Sequence, residues 1–433
     1  MIRTAILMMA LGASASGLTL SEAVEFALAN RGDVAAARES FESSHWTGRA
    51  ASTWFLPQVS AVLAYQKNED VSGIVIPGVG ELRTGTTYQS QYGLTASVPL
   101  LVPQAITGSS LAGLSRDMAE LSLASTEIQA VQQVIASFYG VLLSEMMLDV
   151  TTEALDISRE GYRLALERYA AGTISRFELL QNQVAYENRK PDSIAAAAGL
   201  ENARAALAVA IGTRCEGFVA VQGDLTDPFP LPTPETLEEA REIMMANSPS
   251  LATAEILRNL GDAGVRHAAA AFGPTVAFQT SLMYQGGADE LGDLDGDSYR
   301  RNLTHSLSVS IPVVRGISDY SSYRGARADR MASLAQADDL ARYAELVLVQ
   351  AWNRLAEARQ VVTAAEATVE LAGEALSIAI VSYEAGLITR LEMDQAFLAH
   401  TQARTNYASA LYAMKTAEAG LAAAMGVLTL GEE

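Results

Sequence analysis

Two hydrophobic periods divide this chain. Four stretches alternate with period two. In the first, Val59, Ala61, Leu63 and Tyr65 share a face opposite Gln58, Ser60 and Ala64; in the second, Tyr88, Tyr92, Leu94, Ala96 and Val98 oppose Gln89, Gln91, Thr95 and Ser97. In the third, Val276, Phe278, Leu282 and Tyr284 form the apolar set; in the fourth, Leu303, Leu307, Val309 and Ile311 oppose Thr304, Ser306, Ser308 and Ser310. Each predicts a strand of about ten residues, the length of a tilted strand crossing a bilayer. Apolar side chains on one face and small polar ones on the other suit a wall between lipid and water, although a sheet on a soluble core alternates in the same way. Tyr65, Tyr88 and Tyr284, near strand ends, fit an interfacial aromatic girdle.

The second period is helical. Between Pro103 and Ala170, and between Ser318 and Ala385, no proline intervenes and good helix formers dominate. Such helices would reach about 100 Å at about 1.5 Å per residue, too long for a globule. Val362, Ala365, Val369, Ala372, Leu376, Ala379 and Tyr383 repeat with heptad spacing, large and small in turn; Leu148, Thr151, Leu155, Ser158, Tyr162, Ala165 and Tyr169 do the same earlier. Small residues at alternate seam positions let helices approach while bulky ones insert as knobs, as in a sheet of coiled coils. A plain helical hairpin of a soluble rod has the same seam.

The chain is internally duplicated. Leu20 to Ala37 aligns with Leu237 to Ala254, and Phe55-Leu56-Pro57 with Phe272-Gly273-Pro274. Arg168 to Gln181 aligns with Ser382 to Gln395, and Ala210-Ile211-Gly212 with Ala424-Met425-Gly426. Each half reads helix, strand, strand, very long helix, tight turn, return helix, which places a first repeat at 16–225, a proline-rich linker at 226–234 and a second repeat at 235–433. Two hairpins leave open sheet edges, which a bilayer forbids, so closure calls for more than one chain. Two or three copies would supply 8 or 12 strands, and a conduit needs the larger number.

Composition narrows the chemistry. With 49% hydrophobic residues in 433 the chain is not disordered, and 30 basic against 50 acidic residues argue against nucleic acid. Met1-Ile2-Arg3-Thr4, the apolar run from Ala5 to Leu11 and Ala13-Ser14-Ala15 predict a secretory signal at 1–15. No later window holds some 18 uninterrupted apolar residues, so a membrane crossing would use strands. The single cysteine, Cys215, allows no internal disulfide. His45, His267, His305 and His400 stand singly, without ligand spacing, and no phosphate loop or nucleophile elbow occurs. We therefore expect no catalytic residues, no metal site and no cofactor. Asp293, Asp295 and Asp297, in the segment from Gly286 to Tyr299, suit a solvated loop better than a calcium loop.

Tyr169-Ala170-Ala171-Gly172 and Tyr383-Glu384-Ala385-Gly386 each end a seam, and each glycine is followed six residues on by an acid, Glu178 or Glu392. In this doubled motif the chain resembles the TolC-type outer membrane efflux proteins, over essentially the whole mature length. The resemblance implies a mostly α protein with a transmembrane β-barrel: four strands per protomer, a homotrimer closing 12 strands in the outer membrane, and a coiled-coil tube extending into the periplasm. It implies a passive conduit for efflux or type I secretion, fed by an inner-membrane pump through a periplasmic adaptor. The rival reading is a periplasmic or surface coiled-coil scaffold without a pore.

By position, Ala171, Gly172 and Thr173 with Ala385, Gly386 and Leu387 would be the tips where the adaptor docks. The glycines would take positive φ, and Thr173, Ser175 or Thr389 would cap the returning helices. Glu178, Glu392 and Asp394 are the expected entrance acids, with Gln395 where a further acid is frequent. Arg176 and Arg390 are the expected gate-closing partners. Pro191 should kink or interrupt the first return helix.

Overall fold

A computed structural model describes residues 17–69, 73–78, 80–83, 85–214, 220–231, 233–290, 299–313 and 315–428. The expected signal at 1–15, Cys215 and the acidic trio Asp293, Asp295 and Asp297 lie outside the described residues. In chain order the elements are α1 (Leu20–Asn30), α2 (Gly32–Ser52), β1 (Gln58–Lys67), β2 (Gly73–Ile76), β3 (Gly80–Arg83), β4 (Tyr88–Leu101), α3 (Pro103–Ala170) and α4 (Arg176–Ala210). The second half contributes α5 (Leu237–Asn247), α6 (Pro249–Ala270), β5 (Thr275–Ala288), β6 (Tyr299–Ser310), α7 (Ser318–Glu384) and α8 (Arg390–Met425). The two helices predicted from proline-free composition are thus continuous over 68 and 67 residues. The chain forms two compact units, each drawing on both halves: 1–41, 119–254 and 338–433 in one, 42–118 and 255–337 in the other.

The strand unit is an antiparallel sheet in the order β1-β4-β5-β6. Its register lines up the predicted apolar sets: Ala61 faces Leu94, which faces Leu282, which faces Leu303. Tyr92 and Tyr284, also paired, stack at 5.2 Å. Val59, Leu63, Leu94, Leu303, Leu307 and Val309 are between 49% and 82% exposed, so this face is apolar and uncovered. The other face carries Ser60, Thr95, Ser281 and Thr304 in one row, with Thr95 and Ser281 hydroxyls 3.3 Å apart. β1 and β6 each have one strand neighbour and leave a free edge. A small hairpin of β2 and β3 between β1 and β4 was not predicted; its strands are only four residues each, below the reach of a periodicity test.

In the helical unit the duplication extends to fine structure, and one prediction needs correcting. Each half opens with two helices where the sequence suggested one. The break falls at Arg31 and at Ser248, which align, and both are extended (φ −67°, ψ 133°; φ −71°, ψ 118°). The two α1 and α5 starts are capped alike by Thr19 and Thr236. The breaks are paired with the ends of the return helices: Gly212 (φ 82°) lies against the Asn30 backbone and Gly426 (φ 78°) against that of Asn247. Local apolar spacing continues across both breaks; the signal for the second is Pro249, which disfavours helical backbone at Ser248 and suits the first position of the next helix.

The core joins α1, α3, α4 and α8 around Val24, Phe26, Val134, Ile135, Phe138 and Leu207. Lys415 on α8 is only 2% exposed; its ammonium donates to the Asp227 carbonyl and lies 3.8 Å from the Glu418 carboxylate. Burial pushes the Glu418 carboxyl up from its ordinary range. With Leu225 buried beside it, this ties the linker to the second return helix. Of the two effects expected of Pro191, a kink or an interruption, the interruption does not occur: α4 runs through it. The proline and Glu187, whose carbonyl loses its helical partner, are both exposed, so that carbonyl is open to solvent. Lys190–Glu187 at 2.8 Å and Arg189–Asp192 at 3.6 Å support the turns around it.

Candidate functional site

The candidate site is the pair of turns joining α3 to α4 and α7 to α8. In the first, the N–H of Gly172 donates to Tyr169 O and that of Thr173 to Arg168 O; in the second, Gly386 donates to Tyr383 O and Leu387 to Ser382 O. Gly172 and Gly386 sit at φ 73° and 72° with open space where a Cβ would stand. Backbone conformation, not crowding, therefore selects glycine here. Ser175 and Thr389 are the N-caps, while the Thr173 hydroxyl instead closes the preceding helix on Arg168 O. The tips are apolar and uncovered: Leu387, Phe177 and Leu391 are 78%, 71% and 66% exposed.

The two aligned acids have diverged. Glu392 closes a capping box: its carboxylate accepts from the Thr389 N–H at 2.7 Å and from the Thr389 hydroxyl at 2.9 Å. Those bonds hold its pKa below the usual carboxylate range, so it is ionised. Glu178 leaves its own cap unreciprocated and accepts from the Tyr383 hydroxyl at 3.1 Å, joining α4 to α7. Burial, and next that hydrogen bond, raise the Tyr383 phenol above its ordinary range. The guanidinium carbons of Arg168 and Arg390 lie 5.9 and 5.7 Å from the Tyr383 ring centre.

Arg390 also pairs with Asp394, four residues along its own helix, at 2.9 Å. Arg176 is exposed. Behind the latch, a cleft of about 700 Å³ separates the two helix pairs, with Gly161, Leu376, Phe397 and Asn182 in its wall. Asn182 is 3% exposed; its amide N–H donates to Glu178 O, and its Oδ1 has no hydrogen-bond partner among the described residues. Sequence reasoning used Tyr383 as a seam position and as part of the motif, and missed Arg168 and Asn182. The doubled tyrosine was the available signal, since nothing in turn geometry alone demands an aromatic there.

A family model described as outer membrane efflux protein matches residues 23–213 and 241–427. The chain belongs to that family. The cobalt-zinc-cadmium resistance protein CzcC of Cupriavidus metallidurans (strain ATCC 43123 / DSM 2839 / NBRC 102507 / CH34) is 30% identical over 302 residues, covering 69% of this chain and 68% of the relative. A membrane protein from Pseudomonas aeruginosa has the same fold at TM-score 0.80 and 18% identity, covering 94% of this chain and 90% of that one. The Campylobacter jejuni CmeC outer membrane channel matches at TM-score 0.79 and 16% identity, over 94% and 85%.

The family consists of channel proteins, not enzymes. This efflux protein is accordingly the outer-membrane channel of a tripartite system in a Gram-negative cell, extending into the periplasm, with an adaptor and a pump as its partners.

Proposed function

We propose that three copies of this efflux protein close a 12-stranded barrel and form a passive conduit whose periplasmic mouth is built from the two helical turns. The observation that carries this reading is the four-stranded sheet with an apolar, uncovered face and two free edges, β1 and β6. Such edges cannot be left open in lipid, and pairing β6 of one copy with β1 of the next satisfies them.

At the mouth, Ala171, Gly172, Thr173, Ala385, Gly386 and Leu387 form the adaptor-docking tips, with the exposed Phe177 and Leu391 beside them as apolar anchors. The Glu178–Tyr383 bond holds the two helix pairs of one protomer together and favours the closed mouth. Arg390, itself paired with Asp394, braces Tyr383; the exposed Arg176 is available to a neighbouring protomer, and three copies of ionised Glu392 make the mouth cation-attracting. The cargo is divalent metal cations, supported by the named role of the Cupriavidus relative and by a chain charge of −20.

Mass and single-channel conductance of the detergent-purified protein test the conduit. A trimer with small, cation-selective conductance that falls in selectivity in Glu392→Ala is the expected result; a monomer that never inserts overturns it and leaves a coiled-coil scaffold. For the cargo, a deletion strain should lose resistance to cobalt, zinc and cadmium salts. Unchanged resistance to all three refutes the metal assignment while leaving the channel intact.

A further inference from the structure

On α7, Tyr320, Arg324, Arg327 and Met331 recur at helical spacing along one exposed face, and the exposed Ile317 immediately precedes the helix. Ile311 and Val313, just before the helix, are exposed too. The cavity between α6 and α7, about 580 Å³, is walled by Asp262 and Arg266 from α6 and by Arg324, Arg327, Arg330 and Met331 from α7. The neighbouring Arg330 is committed to Asp262, and Arg315 to Asp319 at 2.8 Å. Arg266, Arg324 and Arg327 enter no ion pair among the described residues, in a chain of net charge −20. Asp329 projects from another side of α7, about 200° round from Arg327.

The repeat shows that the fold does not require these cations. At the positions aligned with Arg324 and Arg327, the first half has Ser110 and Gly113. An aromatic followed by arginines is the arrangement of a membrane boundary, with Tyr320 at the interface and Arg324 and Arg327 about 6 and 10 Å further along the helix axis. The headgroup layer is roughly 5–8 Å thick on each side, and arginine stems reach back toward it along apolar surface. A water-filled lumen gives no reason for Tyr320 and Met331 to share that face.

We infer that Arg266, Arg324 and Arg327 bind the phosphate headgroup of an anionic phospholipid at the periplasmic leaflet of the outer membrane. The inference rests on reading the sheet as a barrel wall. Charge complementarity commits the groove to a phosphate diester, for which paired guanidinium groups are suited donors.

The test is native mass spectrometry of the purified trimer, titrated with cardiolipin or with phosphatidylethanolamine, for wild type and for Arg266→Gln/Arg324→Gln/Arg327→Gln. Each arginine at a membrane surface is worth roughly fivefold, so the triple variant should bind cardiolipin about a hundredfold more weakly. The triple lysine variant, which keeps the charge and loses the bidentate geometry, should bind between wild type and the triple glutamine variant, and Arg342→Gln, removing a charge elsewhere, should change nothing. Equal cardiolipin retention by wild type and triple glutamine variant overturns the site. Competition by inorganic phosphate at the concentrations effective for cardiolipin overturns the lipid assignment in favour of a free-anion site. Trimer mass and conductance, measured on the same samples, report separately whether the barrel reading stands.

Discussion

Four glycines with nearly the same backbone separate two reasons for conserving space at a helix end. Gly172, Gly386, Gly212 and Gly426 have φ of 73°, 72°, 82° and 78°. At the first two a Cβ would meet nothing within 4 Å, whereas at Gly212 it would stand 2.9 Å from the Asn30 carbonyl and at Gly426 2.8 Å from the Asn247 carbonyl carbon. Alanine at Gly172 or Gly386 should therefore cost only the left-handed penalty, about 1–2 kcal/mol. At Gly212 or Gly426 the same penalty is joined by overpacking of about 1–3 kcal/mol, because the backbone at the α1/α2 or α5/α6 break must move. Asparagine, which tolerates this backbone, should rescue Gly386 and not Gly426. Denaturant titration of the purified protein followed by helical circular dichroism at constant detergent measures the four losses. Equal losses at all four sites, or rescue of Gly426 by asparagine, would refute a packing role for the return-helix ends.

Tyr383→Phe removes the hydroxyl bonded to Glu178 while keeping the ring between Arg168 and Arg390, so single-channel recording should show larger or more frequent openings with trimer mass unchanged. Lys415→Met leaves Glu418 buried without its cation and the Asp227 carbonyl without a donor; breaking such a buried pair costs about 3–5 kcal/mol, readable as a lowered denaturation midpoint. Thr389→Ala removes the two bonds of the hydroxyl, from the Glu392 N–H and to the Glu392 carboxylate, and leaves the backbone N–H of residue 389 on that carboxylate; it should cost about 1 kcal/mol, measured as above, with no effect on insertion. The bond from Arg31 holds Asp33 down to about 2, so its contribution is complete above the ordinary aspartate range and is lost as pH falls through about 2. A pH series should show the wild type losing more stability on acidification than Asp33→Asn, and parallel curves would count against the pairing.

Periodicity made the strands and long helices legible because each feature spans many residues and averages out local exceptions. Val362 to Tyr383 could be read as a seam, and in the structure Leu376 and Ala379 are indeed buried there while Leu371 and Ile378 are exposed. Features set by a few atoms were not legible. The docking of Gly212 and Gly426 against the breaks at Arg31 and Ser248 joins residues far apart in the chain, although Pro249 alone disfavours helix at Ser248, and the role of Lys415 depends on a carbonyl nearly 190 residues away in sequence. That Pro191 does not interrupt its helix has a related reason. The usual proline penalty includes an unsatisfied carbonyl, and on an exposed face water removes that part of it.

The two turn acids, Glu178 and Glu392, show why an internal repeat predicts position better than role. Glu178 and Glu392 each occupy the third position of a return helix, behind a hydroxyl cap, where a carboxylate is favoured by the helix dipole and by the cap N–H. That local chemistry places an acid at both sites and is all the sequence can express. Which acid stays at home is decided across the helix pair, by the Tyr383 hydroxyl lying within 3.1 Å of Glu178. Ser175 still caps the first helix through its hydroxyl, so freeing the Glu178 carboxylate forfeits only the reciprocal half of the box. A duplicated capping motif thus supplies two equivalent acids, one retained by its own helix and one available to hold two hairpins together.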